Sequence, residues 1–136
     1  MDFVYDGKDR RRHKRVRVNF ISSYEIREPI SLRVSIPESE IYTCMYDLSE
    51  GGLSIATQYD ITLSSVLVFK FVLINLLAFR PINRSLSLTL VGQVVYNNML
   101  EKNERRVGVY FKDINDKERK SISDFVERES IHSSIS

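Results

Sequence analysis

The chain has almost none of the residues from which disulfides and metal cages are built. Cys44 is the single cysteine among 136 residues, which excludes an intrachain disulfide. His13 and His132 are the only histidines and stand at opposite ends of the sequence, so a His/Cys cage for a metal is not expected. That thiol-poor composition fits a reducing compartment, and the expected location is cytoplasmic. Net charge is scarce as well. Twenty Lys and Arg against 18 Asp and Glu leave +2, too little to coat nucleic acid by bulk electrostatics, and no DNA or RNA partner is expected. A long apolar run is also missing. The greasiest stretch, Val66 to Phe79, falls short of the roughly 20 residues a spanning helix needs, and Lys70 and Asn75 interrupt it. No transmembrane segment is expected, and Met1 to Asp6 lacks the basic start and apolar core of a signal peptide. Nor is there a Cys–His or Ser–His pair at a recognisable spacing, or a P-loop. Glu38, Glu40 and Glu50 read as solvated acids. The chain is expected to be a receptor, not an enzyme, with no cofactor.

What is present is an ordinary globular composition, 43% hydrophobic and 28% charged, in a length that fits one domain. The dominant hydrophobic period is two, which predicts strands. Arg15 to Phe20, Ser31 to Ile36 (ended by Pro37), Ser87 to Tyr96 and Arg106 to Phe111 carry it; Ile41 to Tyr46 and Leu53 to Ala56 read as further short strands, and the apolar run Val66 to Val72 as a buried one. Gly92 reads as a bend or bulge, and Asn97-Asn98 as the start of the turn between the last two strands. The ending changes period. Asn115 with Glu118 three residues on forms a capping box, and Ile122, Phe125 and Val126 supply a helical apolar stripe. A helix over about 115–129 follows. Many short antiparallel strands and one terminal helix predict a mainly β fold, a small barrel.

Two segments carry chemistry. Arg10-Arg11-Arg12-His13-Lys14-Arg15-Val16-Arg17 concentrates guanidinium forks, each able to take two acceptors at once from phosphate or from guanine O6 and N7. Arg11 and Arg15 are four apart, so an extended chain keeps both on one side. On its own the run reads first as a solvated basic tail, with a localisation signal or an RNA-binding arm as further readings. About thirty residues on, Asp47-Leu48-Ser49-Glu50-Gly51-Gly52 places a carboxylate and a hydroxyl at a strand end. A carboxylate there can accept from guanine N1–H and the exocyclic amine. The Ser49 hydroxyl can donate to a ligand or hold the turn, and Gly51 and Gly52 permit positive φ and close approach. On its own this too is an ordinary turn composition. The pair together suggests a two-part grip on a phosphorylated guanine compound.

Arg11 to Arg15 resembles the RxxxR element of the PilZ domain family, and Asp47 to Gly52 its [DN]xSxxG element, in the same order and spacing. Leu90 to Tyr96, Val107 to Phe111 and the closing helix are similar to the family's later strands and terminal helix. The resemblance covers about 10–129. It implies a six-stranded antiparallel β-barrel with a C-terminal α-helix that binds cyclic di-GMP, with 1–9 as a flexible N-terminal segment, 10–130 as the domain and 131–136 as a frayed tail. Arg11 and Arg15 would grip phosphates and guanine, with Arg12 as a further contact. Asp47 and Ser49 would read a guanine edge, and Gly51 and Gly52 would shape the loop. Arg10, just before the motif, would favour an intercalated nucleotide pair. The implied function is a receptor whose arginine arm is ordered by ligand and which signals to a protein partner. The alternative is an adaptor working by protein contacts without nucleotide. Two features depart from the family pattern: the extra basicity of His13-Lys14, and the long apolar connection 74–82, readable as a cap on the barrel or as a docking surface.

Overall fold

A computed structural model describes residues 14–75 and 84–135, with side chains for 14–73 and 85–130. Six strands, β1 (Arg15–Glu28), β2 (Ile41–Ser49), β3 (Gly52–Thr57), β4 (Val66–Asn75), β5 (Arg84–Met99) and β6 (Arg105–Lys112), close into a barrel in the order β1-β2-β3-β6-β5-β4. Every pairing is antiparallel. Closure leaves no edge strand exposed to foreign pairing among the described residues.

Strand β1 makes closure possible. Its first part, Arg15 to Tyr24, pairs with β2, and its last part, Ser23 to Glu28, pairs with β4. It runs eight residues beyond the Phe20 expected from its periodicity. The inward alternation of Val16, Val18 and Phe20 persists across the register shift between Arg17 and Phe20, but Ser22 then takes a buried position where an apolar residue would have continued the pattern. Because β1 already serves both neighbours, no seventh strand is needed. The segment expected as a strand over Ser31 to Ile36 is instead a short helix, α1 (Ile30–Ser35). Its alternation is illusory, since Val34 is exposed while Ile36 is buried. The Pro29 carbonyl accepts from the Leu32 and Arg33 amides at 3.1 Å, and Ser35 Oγ donates to Leu32 O at 2.7 Å, so local bonds close the turn.

The interior is filled by side chains from all six strands, including Tyr24, Met45, Leu48, Leu53, Ile55, Leu67, Phe69 and Val107, none more than 1% exposed. Tyr24 brings a hydroxyl into this core and shares a 2.6 Å hydrogen bond with Thr57 Oγ1, which meets the requirement that a buried polar group be paired. Burial nonetheless pushes its phenol up to about 12. Gly92 is not a bulge: it stays in register with Leu67 and Phe111, and the irregularity of β5 falls between Val94 and Tyr96. A Cβ on Gly92 would meet Val109 and Phe69 side chains at 3.1–3.2 Å, so glycine there makes room for interior neighbours.

The β5–β6 turn also lies later than Asn97-Asn98. Both asparagines stay in the ladder, and Asn97 Nδ2 donates to Asp60 Oδ1 and Ile61 O at 2.9 and 2.8 Å. The chain reverses at 100–104 through positive φ at Lys102 and Asn103. The terminal helix α2 (Asp116–Ile135) opens on the expected box: the Glu118 amide donates to Asn115 Oδ1 at 2.7 Å and the Asn115 amide to Glu118 Oε1 at 3.2 Å. Helix α2 runs six residues past Glu129. Ile122, Phe125 and Val126 are buried against the barrel, with the Phe125 ring 5.5 Å from that of Phe20 on β1.

Candidate functional site

The described end of the first segment, 14–17, meets the second segment on the outer wall of the barrel. Arg15 opens β1 directly opposite Ser49, which ends β2, and Arg17 lies opposite Asp47. Strand β2 carries one extra residue here: Met45 pairs with Ile55 but Asp47 pairs with Ser54, so Tyr46 is bulged. Met45 and Leu48 point inward, both 0% exposed, and the bulge lets the two residues between them share the outer face.

Asp47 is the centre of the cluster. Its side chain is only 10% exposed, with the Arg15 Nη1 cation 3.7 Å from Oδ2. Ser54 Oγ donates to Oδ1 at 2.8 Å, and Arg106 Nη2 donates to Oδ2 at 2.9 Å. A carboxylate so nearly removed from water requires such pairing, because an isolated buried charge costs many kcal/mol. Arg106 reaches Asp47 from β6, across β3. The residue opposite it on β3 is Ala56, whose methyl leaves a path for the long side chain. The guanidinium carbon then lies 5.3 Å from the centroid of the Tyr46 ring, within cation–π range. The Tyr46 hydroxyl donates to Glu104 Oε1 at 3.1 Å. Burial first, and then the hydrogen bond to Glu104, push that phenol above its usual range.

Two donors in the cluster have no acceptor among the described residues. The Nε atoms of Arg15 and Arg106 are buried and lack hydrogen-bond partners among the described residues. Unpaired buried donors are rare and costly, about 1–3 kcal/mol each, and here both flank one carboxylate.

The hydroxyl and glycines of the second motif serve the turn. Ser49 Oγ accepts from the Gly51 and Gly52 amides at 3.2 and 3.1 Å and donates to the Gly52 carbonyl at 3.2 Å. A Cβ on Gly52 would sit 2.1 Å from the Val109 carbonyl oxygen and 3.0 Å from Tyr110 Cα. The close approach that glycine permits is therefore that of strand β6. Arg10, Arg11 and Arg12 lie outside the described residues, as do 76–82 of the apolar connection. Lys14, the first described residue, has its ammonium 3.6 Å from Glu127 on α2, so the root of the arginine segment adjoins the helix.

Arg106, Ser54 and Tyr46 were not among the expected site residues. Arg106 alternates out of phase with buried Val107 and Val109 and Ser54 with buried Leu53 and Ile55, which marks them only as outward-facing. Register across three strands is what brings them to Asp47. Among the described residues, no three His, Cys, Asp or Glu side chains are grouped to hold a metal ion. No helix among them is long and apolar enough to cross a membrane.

The sequence matches the model of the PilZ domain family over residues 9–128. The chain belongs to the PilZ domain family. Solved structures share the PilZ fold at low identity. The Bacillus subtilis inhibitor of motility (MotI/DgrA) is 13% identical with a TM-score of 0.68, over 92% of this chain and 53% of that one. The PilZ domain of YcgR from Escherichia coli, solved with c-di-GMP, is 14% identical with a TM-score of 0.59, over 93% and 98%. The K. pneumonia MrkH–c-di-GMP complex is 14% identical with a TM-score of 0.58, over 93% and 55%. This chain thus spans about half the length of the B. subtilis and K. pneumonia proteins. No curated protein matches the chain in sequence.

Proposed function

We propose that this PilZ chain is a cyclic di-GMP receptor that hands its ligand state to a protein partner. The observation that carries this reading is the contact between the two motifs: the Arg15 guanidinium stands 3.7 Å from the Asp47 carboxylate although the residues are 32 positions apart. One ligand reaching that point meets cations for its phosphates and a carboxylate for a guanine edge. Two relatives of the same fold were solved with c-di-GMP.

In this reading Arg11 and Arg15 grip phosphates and guanine, with Arg12 and Arg10 adding to the grip. Asp47 reads guanine N1–H and the exocyclic amine, while Ser49, Gly51 and Gly52 hold the turn that presents it. Ligand orders the arginine segment against the barrel and changes the surface at α2, which Lys14 already touches through Glu127. Calorimetric titration of the purified chain with cyclic di-GMP tests the reading. Saturable binding is expected, with Arg11→Ala and Arg15→Ala each weakening it at least tenfold, about 1.4 kcal/mol or more. Wild-type protein that shows no saturable binding at tens of micromolar, a weak range, overturns it. The rival, a nucleotide-independent adaptor, draws on Ile21, Tyr42 and Val72, which are exposed on neighbouring strands. Capture of one partner equally with and without nucleotide would favour it.

A further inference from the structure

We infer that Arg106, with Ser54, is a positioning residue that sets the selectivity of the site for guanine. This inference rests on the cyclic di-GMP reading. It starts from the acceptor capacity of Asp47. A carboxylate offers about four lone-pair sites, two on each oxygen. Ser54 Oγ occupies one on Oδ1 at 2.8 Å, and Arg106 Nη2 occupies one on Oδ2 at 2.9 Å. Arg15, at 3.7 Å, is an ion pair and takes none as a hydrogen bond. One site per oxygen remains. That is the number, and the distribution, required to accept the N1–H and exocyclic amine of one guanine side by side. Adenine presents no such pair of donors.

Two held oxygens also fix the plane of the carboxylate. Arg106 is itself fixed, by Ser54 Oγ at 3.4 Å and by the Tyr46 ring 5.3 Å from its Cζ. The bulge at Tyr46 is what puts ring and carboxylate under the same guanidinium. Arg106 has a second effect. Asp47 alone would repel the phosphates of an incoming dinucleotide, and the cation at 2.9 Å cancels that charge without occupying the remaining acceptor sites.

The test compares cyclic di-GMP with cyclic di-AMP on the full chain, for wild type, Arg106→Ala, Arg106→Lys, Ser54→Ala, Asp47→Ala and the double variant Arg106→Ala/Asp47→Ala. Arg106→Ala is expected to weaken cyclic di-GMP binding about tenfold and to narrow the ratio between the two nucleotides. Arg106→Lys restores charge without the planar fork, so affinity recovers in part while the ratio stays narrowed. Ser54→Ala, a small change that keeps Arg106, narrows the ratio on its own and serves if Arg106→Ala does not fold. In the Asp47→Ala background, Arg106→Ala costs less than about twofold, because a residue acting through another has nothing left to position. A purely structural role would weaken both nucleotides equally and leave the ratio at its wild-type value. That result, or an equal loss from Arg106→Ala with and without Asp47, overturns the inference while leaving the receptor reading intact. Wild-type protein that binds neither nucleotide overturns both.

Discussion

Replacing Gly52 with alanine separates two explanations of the second motif. If the glycine leaves room for a ligand, Gly52→Ala weakens binding and leaves the fold untouched. The geometry says otherwise. A Cβ at this position would lie 2.1 Å from the Val109 carbonyl oxygen, 3.0 Å from Tyr110 Cα and 3.1 Å from the Val109 carbonyl carbon. All three are backbone atoms of β6, so no side-chain rotation relieves the overlap. Strands β3 and β6 must part by about 1 Å where normal contact begins near 3.4 Å, which strains the ladder at Gly52–Tyr110 and the Phe111 amide bond to the Gly51 carbonyl, now 2.9 Å. Overpacking costs about 1–3 kcal/mol, and one weakened hydrogen bond adds about 1 kcal/mol. The expected loss is about 2–4 kcal/mol, a large share of the 5–15 kcal/mol typical of a domain.

Urea denaturation measures this directly, with the midpoint falling at unchanged slope. Gly108→Ala is the control. Its Cβ would meet the Tyr96 ring at 2.0–2.6 Å, a closer clash on paper, but a ring can turn away where a backbone cannot. Gly52→Ala should therefore cost more than Gly108→Ala. A Gly52→Ala protein within about 0.5 kcal/mol of wild type, the usual range for a harmless surface change, would refute the argument. A loss of ligand binding at full stability would return the glycine to the ligand.

Two further outcomes test the core and the cap. Tyr24 is favoured as the neutral phenol in the folded state, its pKa raised from 10.0 to about 12 by burial, partly offset by Thr57. Its contribution is thus intact below pH 10 and is lost as the pH rises through 12, to the extent of about 2–3 kcal/mol. Tyr24→Phe should flatten the fall in stability measured between pH 9 and 12, and an unchanged fall would remove Tyr24 as its cause. Asn115→Ala removes the oxygen that accepts the Glu118 amide at 2.7 Å and should cost about 1 kcal/mol. Asn115→Ser should restore most of it in thermal unfolding, and equal melting of the two variants would argue against the cap.

The strands whose apolar residues alternate without interruption were legible: Val107, Val109 and Phe111 are buried on β6 as their spacing implies, and Leu88 and Leu90 on β5. The capping box was legible because both of its bonds are local, within Asn115 to Glu118. Sequence periodicity failed where tertiary structure altered it. Buried Ser22 and Ser23 concealed the second half of a 14-residue strand, and Leu32, Val34 and Ile36, in and just after α1, imitated a strand that the closed barrel has no place for. Asn97-Asn98 has turn chemistry, yet both residues stay in the ladder and the Asn97 side-chain amide is spent on Asp60 and Ile61 of the β3–β4 loop. At the candidate site, the pairing of the two segments anticipated that Arg15 and Asp47 come together. Arg106 could not be anticipated, since nothing local distinguishes an arginine that reaches across a sheet from one that faces solvent.

Closure of the barrel decides where recognition can occur. With Tyr24, Met45, Leu48, Phe69 and their neighbours filling the interior at 0% exposure, a six-stranded barrel leaves no internal space for a nucleotide. A ligand must meet the outer wall, where a pleated sheet offers only side chains that stand side by side. Depth is gained by spending four adjacent strands on one carboxylate: Arg15 from β1, Asp47 from β2, Ser54 from β3 and Arg106 from β6. In sequence β6 follows β5, but in the ring it lies next to β3. Arg106 therefore reaches Asp47 only after the nonlocal pairing of β3 with β6 has formed. The same pairing is the one that Gly52 permits by lacking a side chain. The glycine of the motif and the arginine outside it thus serve one purpose from two sides: the first lets β6 approach, and the second uses that approach to hold the carboxylate in place.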